Sequence, residues 1–340
     1  MLCGDGFGWL CSGSGRDVYG AQCGNSEETR CPGMHRARAT MHVLLAVTSA
    51  WHLSGVRAAV PLTAARGDVC GDGDWRQVGG ASLRRGPGCL AKSDSGLLVC
   101  DGHKQLRQIA VDSATGELLP PHTLMTGIGA IGSVTETAGG EILAIDAHAQ
   151  SVLRVSNGRA VTIAGHRVSV NMPTADGPAA EATFKRPVAI AADADLNIFV
   201  ADSVDHKIRL ISRKSNTVST LAGSGQAGLE DGTGSVARFS EPSALVLWQD
   251  KQLLVADAAN HAIRAVDVST GSVSILAGSP QGTRGWADGA AVSSKWDRPS
   301  ELALHGDMLM VLMLLPASRL RMHHYPHCEL TLVRCHARER

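Results

Sequence analysis

An all-β repeat fold is what this sequence predicts, and three observations predict it. Residues 184–300 state one pattern twice and begin it a third time. Phe184-Lys-Arg-Pro187 returns as Phe239-Ser-Glu-Pro242 and again as Trp296-Asp-Arg-Pro299. Val200-Ala-Asp202 returns as Val255-Ala-Asp257, Lys207-Ile-Arg209 as Ala262-Ile-Arg264, and Leu221-Ala-Gly-Ser224 as Leu276-Ala-Gly-Ser279, each 55 residues on. Second, each unit divides into four short apolar runs separated by turn chemistry. Third, no sustained 3.6-residue period runs between them. A recurring unit of this size cannot bury its apolar face alone and must stack on copies of itself. Four strands per unit, short connections and a Gly-rich link to the next unit describe a β-propeller blade.

In the best copy the expected strands are Val188–Asp193, Asn197–Asp202, Lys207–Ser212 and Thr217–Gly223. The third alternates most plainly, with Ile208 and Leu210 on one face and Lys207 and Arg209 on the other. The second copy gives Ala244–Trp248, Gln252–Asp257, Ala262–Asp267 and Val273–Gly278. The links after each unit are glycine-rich because they must turn sharply, with some residues at positive φ. Upstream, Glu141–Asp146, Ser151–Ser156 and Ala160–Gly165 repeat the pattern, and Gly96–Asp101, Leu106-Arg107 and 111–116 echo it more faintly. The expected count is four blades and the start of a fifth, Glu301–Leu315, within residues 77–315.

These residues carry a resemblance. Phe-x-x-Pro, then Val200-Ala-Asp202-Ser-Val-Asp-His206-Lys-Ile-Arg209, then Leu221-Ala-Gly-Ser-Gly225 and Asp231-Gly-Thr-Gly234 resemble the long, Gly/Asp-rich-link variant of the NHL repeat. Asp257-Ala-Ala-Asn260-His261-Ala-Ile263-Arg264 is similar to it more closely still, keeping the Asn-His of the family name. The resemblance covers the strongest repeats, 184–238 and 239–295, fully, and fades upstream. It implies a propeller, ordinarily six-bladed, that serves as a binding platform. Six units of this length need roughly 330 residues, more than the 282 that follow residue 58. The pattern also stops within the fifth unit, so the expectation is a truncated or mis-joined product, with a ring closed by five irregular blades as the alternative, and an irregular basic tail at 316–340.

Basic and acidic residues balance at 32 each, and the strong repeats at 12 each, which gives no general field for a polyanion. Aromatic content of 4% offers few platforms for stacked bases, so nucleic acid is not the favoured partner. No run reaches the eighteen or so apolar residues of a membrane span. Residues 1–33 are read as a leader outside the fold. Met34-His-Arg-Ala-Arg38, the mostly apolar Met41–Trp51 and Val56-Arg57-Ala58 succeed one another as in a signal peptide, 34–58. That succession predicts a secreted mature chain beginning near Ala59, a cytoplasmic protein being the alternative.

Cys3, Cys11, Cys23 and Cys31 precede the signal-like segment with no metal-site spacing. Cys100 stands where Ala201 and Ala256 stand, which predicts a small buried core residue. In a secreted chain a Cys70–Cys89 disulfide is one open pairing. His323-His324-x-x-His327-Cys328 with Cys335-His336 has zinc-ligand types but no zinc spacing. Two motif matches fail on context. Gly223-Ser-Gly225-Gln-Ala-Gly228 has no helix after it to face a pyrophosphate. Asp193-Ala-Asp195-Leu-Asn197 lacks the glycine and glutamate of a calcium loop and reads as a hairpin turn.

Asp202/Asp257, His206/His261 and Arg209/Arg264 recur once per unit. A catalytic site needs one copy of a nucleophile or base, so recurring polar residues are read as structural, bonding blade to blade or locking a turn. Two function classes follow. The first is a non-enzymatic scaffold whose face loops bind a protein, peptide or glycan, with Arg284 and Trp286 in an unmatched loop insert as contacts. The alternative is a metal-assisted hydrolase or lyase with a site in the central channel, drawing on residues such as Asp146, Asp193 and Glu301. The residues themselves define no catalytic set, cofactor or metal site.

Overall fold

The computed structural model describes residues 87–314, apart from 102–103, 113, 116–117, 168–172, 286–290 and 306–307, together with short strands at 77–82 and one at 328–334. The leader, the signal-like segment, Ala59, Cys70, Trp286 and the His/Cys cluster near the C-terminus lie outside the residues whose side chains are described. The chain is a β-propeller. β1 (Gln77–Val78) and β2 (Ala81–Ser82) form a small hairpin. The first blade is β3 (Pro87–Ser93), β4 (Gly96–Asp101), β5 (Gln105–Ala110) and β6 (His122–Thr126). The second is β7 (Ile131–Glu136), β8 (Ile142–Asp146), β9 (Ser151–Ser156) and β10 (Arg159–Ala164). A two-residue strand, β11 (Gly177–Pro178), precedes the third blade: β12 (Pro187–Ala192), β13 (Ile198–Asp202), β14 (Lys207–Ser212) and β15 (Thr217–Ala222). Likewise β16 (Gly232–Thr233) precedes the fourth: β17 (Pro242–Trp248), β18 (Gln252–Asp257), β19 (Ala262–Asp267) and β20 (Ser272–Ala277). A fifth, three-stranded sheet holds β21 (Pro299–His305), β22 (Met308–Leu314) and β23 (Cys328–Arg334). The only helical elements among the described residues are three-residue 3-10 turns.

Within each sheet, successive strands pair antiparallel, so the hairpin turns set the register. The inner strand of every blade shifts register just after its first residue, as between Pro187 and Ala189 or Pro242 and Ala244. A bulge there bends the strand where it meets the central channel. Proline suits that first position because a strand can begin without a ladder N–H.

The core lies between blades rather than within them. Leu143, Ile145 and Val152 of the second blade meet Phe184, Ile190, Val200 and Ile211 of the third. Phe199 and Ile208 of the third meet Phe239, Leu253, Val255 and Val266 of the fourth. Trp296, Leu309 and Val311 extend the fourth blade's cluster into the fifth sheet. Burying a side chain of this size contributes about 1.5–3 kcal/mol, and here each contribution belongs to a pair of neighbours.

The described residues form four complete blades and a three-stranded fifth, as the repeat count predicts, and not the six blades ordinary for the resemblance. Two expectations are corrected. The tail expected to be irregular contributes β23, in register with β22 from Met308↔Arg334 to Leu314↔Cys328. Its alternation, Glu329 and Thr331 against Leu330 and Leu332, is the period-2 signal that marks it. Cys100 is buried as expected but is disulfide-bonded to Cys89, with Cα atoms 5.0 Å apart, which replaces the Cys70–Cys89 pairing. Their strands β3 and β4 are antiparallel neighbours, which brings the two residues together. Arg209, expected on the face opposite Ile208 and Leu210 as a structural residue, is fully buried there. Strand alternation places it opposite Ile208, but the incoming blade link covers that face too.

Candidate functional site: the blade junctions and the mouth of the channel

Each strong blade is closed by one buried arginine. Arg209 donates to the carbonyls of Thr183 (3.0 Å) and Ala175 (3.0 Å) and to Asp176 Oδ1 (2.5 Å). Its guanidinium lies 5.3 Å from the Phe184 ring centroid. Arg264 repeats this with Arg238 O (2.9 Å), Glu230 O (2.9 Å), Asp231 Oδ1 (2.6 Å) and the Phe239 ring (5.2 Å). The arginine thus fastens the Asp-Gly link and the incoming aromatic onto its own blade. The aromatic in turn covers a glycine of the preceding blade. A Cβ on Gly223 would lie 3.3 Å from the Phe239 ring and 2.5 Å from His206 O, and Gly223 has φ +105.

The repeated aspartates hold the same segment from the other side. Asp202 accepts from the Lys185 and Arg186 amides at 2.9 and 2.7 Å, with Arg209 Nη1 further off at 3.9 Å. Asp257 accepts from Ser240 N (2.7 Å), Asn260 Nδ2 (2.7 Å) and Arg264 Nη1 (3.1 Å). Burial nevertheless outweighs these donors and pushes the Asp257 carboxyl up to about 6. Burial also raises Asp202, against its two backbone amides.

The histidines join blade to blade. Both sit in the left-handed region, at φ 51 for His206 and 54 for His261. His206 Nδ1 accepts from Glu241 N and His261 Nδ1 from Arg298 N, each at 3.1 Å and each reaching the next blade. Burial, with Arg284 and Arg298 nearby, holds the His261 imidazole below its ordinary value despite the opposing Asp297. Sequence reading missed their counterpart, Gln150, at φ 54, whose Nε2 donates to Lys185 O at 2.7 Å. Its spacing of four residues after Asp146, as His206 follows Asp202, is the signal that marks it.

The five inner strands, β3, β7, β12, β17 and β21, line a central cavity of about 1060 Å3. Its wall is built of small residues such as Gly132, Ala189, Ala191 and Ala244. At the end where the inner strands begin stand Arg186, Glu241, Arg284, Asp297 and Arg298. Arg298 pairs with Glu241, and Arg284 grips Asp297 through Nε (2.8 Å) and Nη2 (2.9 Å). Arg186 is exposed. Of the proposed metal-site residues, Asp146 spends its oxygens on the Gly129, His148 and Ala149 amides, and Asp193 closes its hairpin through Asn197 N at 2.7 Å. Glu301 lies on β21. No group of three His, Cys, Asp or Glu gathers among the described residues.

The chain is 36% identical over 104 residues to NHL repeat-containing protein 2 of Bos taurus, and 35% identical over the same length to that of Homo sapiens. Each match takes up 30% of this chain and 14% of the relative. Part of the chain is thus similar to NHL repeat-containing proteins. A 96-residue stretch, 28% of this chain, is also 38% identical to Protein SUPPRESSOR OF QUENCHING 1, chloroplastic, of Arabidopsis thaliana, where it covers 9% of the length. The matched stretches therefore span only a small part of the curated relatives. No family model matches the chain. Among solved structures, an auxiliary nutrient binding protein from Bacteroides ovatus superposes with a TM-score of 0.51 at 15% identity, over 68% of this chain and 57% of that one. A Bacteroides thetaiotaomicron protein of unknown function gives 0.51 at 16% identity, with the same coverage. At such identity the likeness shows the fold alone. No helix among the described residues is long and apolar enough to cross a membrane.

Proposed function

We propose that this NHL propeller is a non-enzymatic interaction scaffold whose loops around the channel mouth bind a protein, peptide or glycan. One contrast carries the reading. The residues that recur, Asp202/Asp257, Arg209/Arg264 and His206/His261, are engaged in blade closure or blade joining. At one repeat position of the mouth the side chain instead varies in charge and is exposed: Arg186, Glu241 and Arg298. A constant frame presenting variable side chains suits recognition. The Bacteroides ovatus neighbour is a nutrient binding protein, which supports a binding role. A secretory location is part of the proposal, and the Cys89–Cys100 disulfide supports it because such bonds persist in oxidising compartments.

Panning the immobilised protein against a displayed peptide library and a glycan array tests this. Ligands that bind the native protein and lose at least tenfold in affinity on Arg186→Glu, with unchanged melting, fit the scaffold. The reading gives way to an enzyme if Asp257→Ala keeps its melting temperature yet abolishes turnover of a lactone, ester or peptide.

A further inference from the structure

We propose that the outer groove between the second and third blades docks an extended acidic peptide, which adds as a strand to the edge of β10. The outer strands of the third and fourth blades are strapped by the links that enter those blades. β11 covers β15 at Thr217 and Val218, and β16 covers β20 at Ser272 and Val273. The link entering the second blade, Gly127–Ala130, is four residues long and forms no strap. Among the described residues, nothing pairs with the outer side of β10 at the matching positions, Arg159 and Ala160. The two-residue turn Asn157-Gly158, at φ 50 and 73, makes Ser156/Arg159 and Arg154/Val161 the hydrogen-bonded pairs. The N–H and C=O of Ala160 and Thr162 therefore point outward, ready to pair.

The junction beside this edge departs from its repeat. Between the third and fourth blades, Leu210, Leu221 and Val268 pack on the core, and the bare backbone of Gly271 closes on Leu221 O, 2.5 Å from where a Cβ would sit. Between the second and third blades Arg154, Arg213 and Asn216 occupy the places of Leu210, Val268 and Gly271. A groove of about 720 Å3 lies there, within the range of ligand sites. Ser151 lines it, and its buried Oγ has no hydrogen-bond partner among the described residues, an unmet group that a ligand can satisfy.

Charge selects the occupant. Arg154, Arg167 and Arg213 line the groove, while Glu141, 3.6 Å from Arg154 and 3.1 Å from Arg213, is the one carboxylate paired with them among the described residues. Three positive charges against one leave a surplus of two for carboxylates of a partner. Exposed Val161 and half-buried Ile163 offer apolar contacts on the same strand. Strand addition gives affinity through the backbone and selects alternate side chains through such pockets. The groove is on the propeller's outer perimeter, at the opposite edge of the sheets from the channel mouth, so this proposal and the mouth-binding reading stand or fall separately.

Fluorescence anisotropy with fluorescein-labelled acetyl-(Val-Glu)4-amide provides the test, with (Val-Lys)4 as its charge-reversed partner. The acidic peptide is expected to bind saturably, and the basic one not. Thr162→Pro removes one outward N–H, a change edge strands tolerate, and should weaken binding at least tenfold with melting unchanged. Arg167→Glu, which removes a guanidinium lying 3.2 Å from His148 Nε2, should do the same. Absence of saturable binding at millimolar peptide overturns the proposal. So does equal affinity for both peptides, or undiminished binding by a folded Thr162→Pro or Arg167→Glu protein.

Discussion

Replacing Arg264 with leucine removes a guanidinium that is fully buried and serves four acceptors: the Arg238 and Glu230 carbonyls, Asp231 and Asp257. Asp257, itself inaccessible to solvent, keeps Ser240 N and Asn260 Nδ2 but loses the Arg264 counter-charge at 3.1 Å. Breaking a buried pair from one side costs about 3–5 kcal/mol, and the lost cation–π contact with Phe239 lies within that range rather than adding to it. For a domain of this size the midpoint should drop by about 6–20 °C. The second blade shows what a leucine there requires. Leu153 occupies the equivalent place, and its aspartate, Asp146, instead takes three backbone amides. Adding Asp257→Asn to Arg264→Leu removes the stranded charge, so the two changes should couple by about 1 kcal/mol or more in a double-mutant cycle. Thermal and urea denaturation of the four proteins measure this. A loss below about 1 kcal/mol for Arg264→Leu, or strictly additive effects, would refute the account of the junction.

Arg209→Leu should cost less than Arg264→Leu, because Asp202 holds two backbone amides and its arginine is already 3.9 Å away; parallel urea titrations compare them. Gly223→Ala should destabilise by about 2–4 kcal/mol, since φ +105 strains any side chain and the new Cβ meets His206 O at 2.5 Å, and differential scanning calorimetry reads the shift. Burial holds the His261 imidazole below 6.5, so the unfolded chain takes the proton first: its stabilisation is complete above about pH 6.5 and declines as pH falls below it. Asp257, raised to about 6, contributes the opposite slope between 3.8 and 6, so the measurable quantity is the difference between His261→Gln and the native protein, which should show a shallower acid loss in the variant.

The third and fourth blades were legible almost strand for strand: Lys207–Ser212, Gln252–Asp257 and Ala262–Asp267 fall where the pattern put them. Period-2 alternation and turn residues are local signals, and two aligned copies reinforce each other. The full burial of Arg209 was not legible, because alternation tells which residues share a face, not what covers that face. The covering segment, Ala175 to Thr183, arrives from the preceding link. The Cys89–Cys100 bond was hidden for a similar reason, since it depends on how β3 aligns with β4 around a bulge. The β10 groove had no sequence signature as such. It emerges only when Arg154, Arg213 and Asn216 are set beside Leu210, Val268 and Gly271 in space.

The handoff from Gly223 to Phe239, and from His206 to the Glu241 amide, has a consequence for ancestry. The same parts recur at the next seam, where Gly278 meets Trp296 and His261 meets the Arg298 amide. A segment running from aromatic to aromatic therefore carries a matching plug at one end and socket at the other. Tandem duplication of such a segment yields a copy that fits both neighbours without any compensating change. Drift can then rework the exposed perimeter of a copy while its seams stay interchangeable, so novelty accumulates at edges and grooves rather than at the joints.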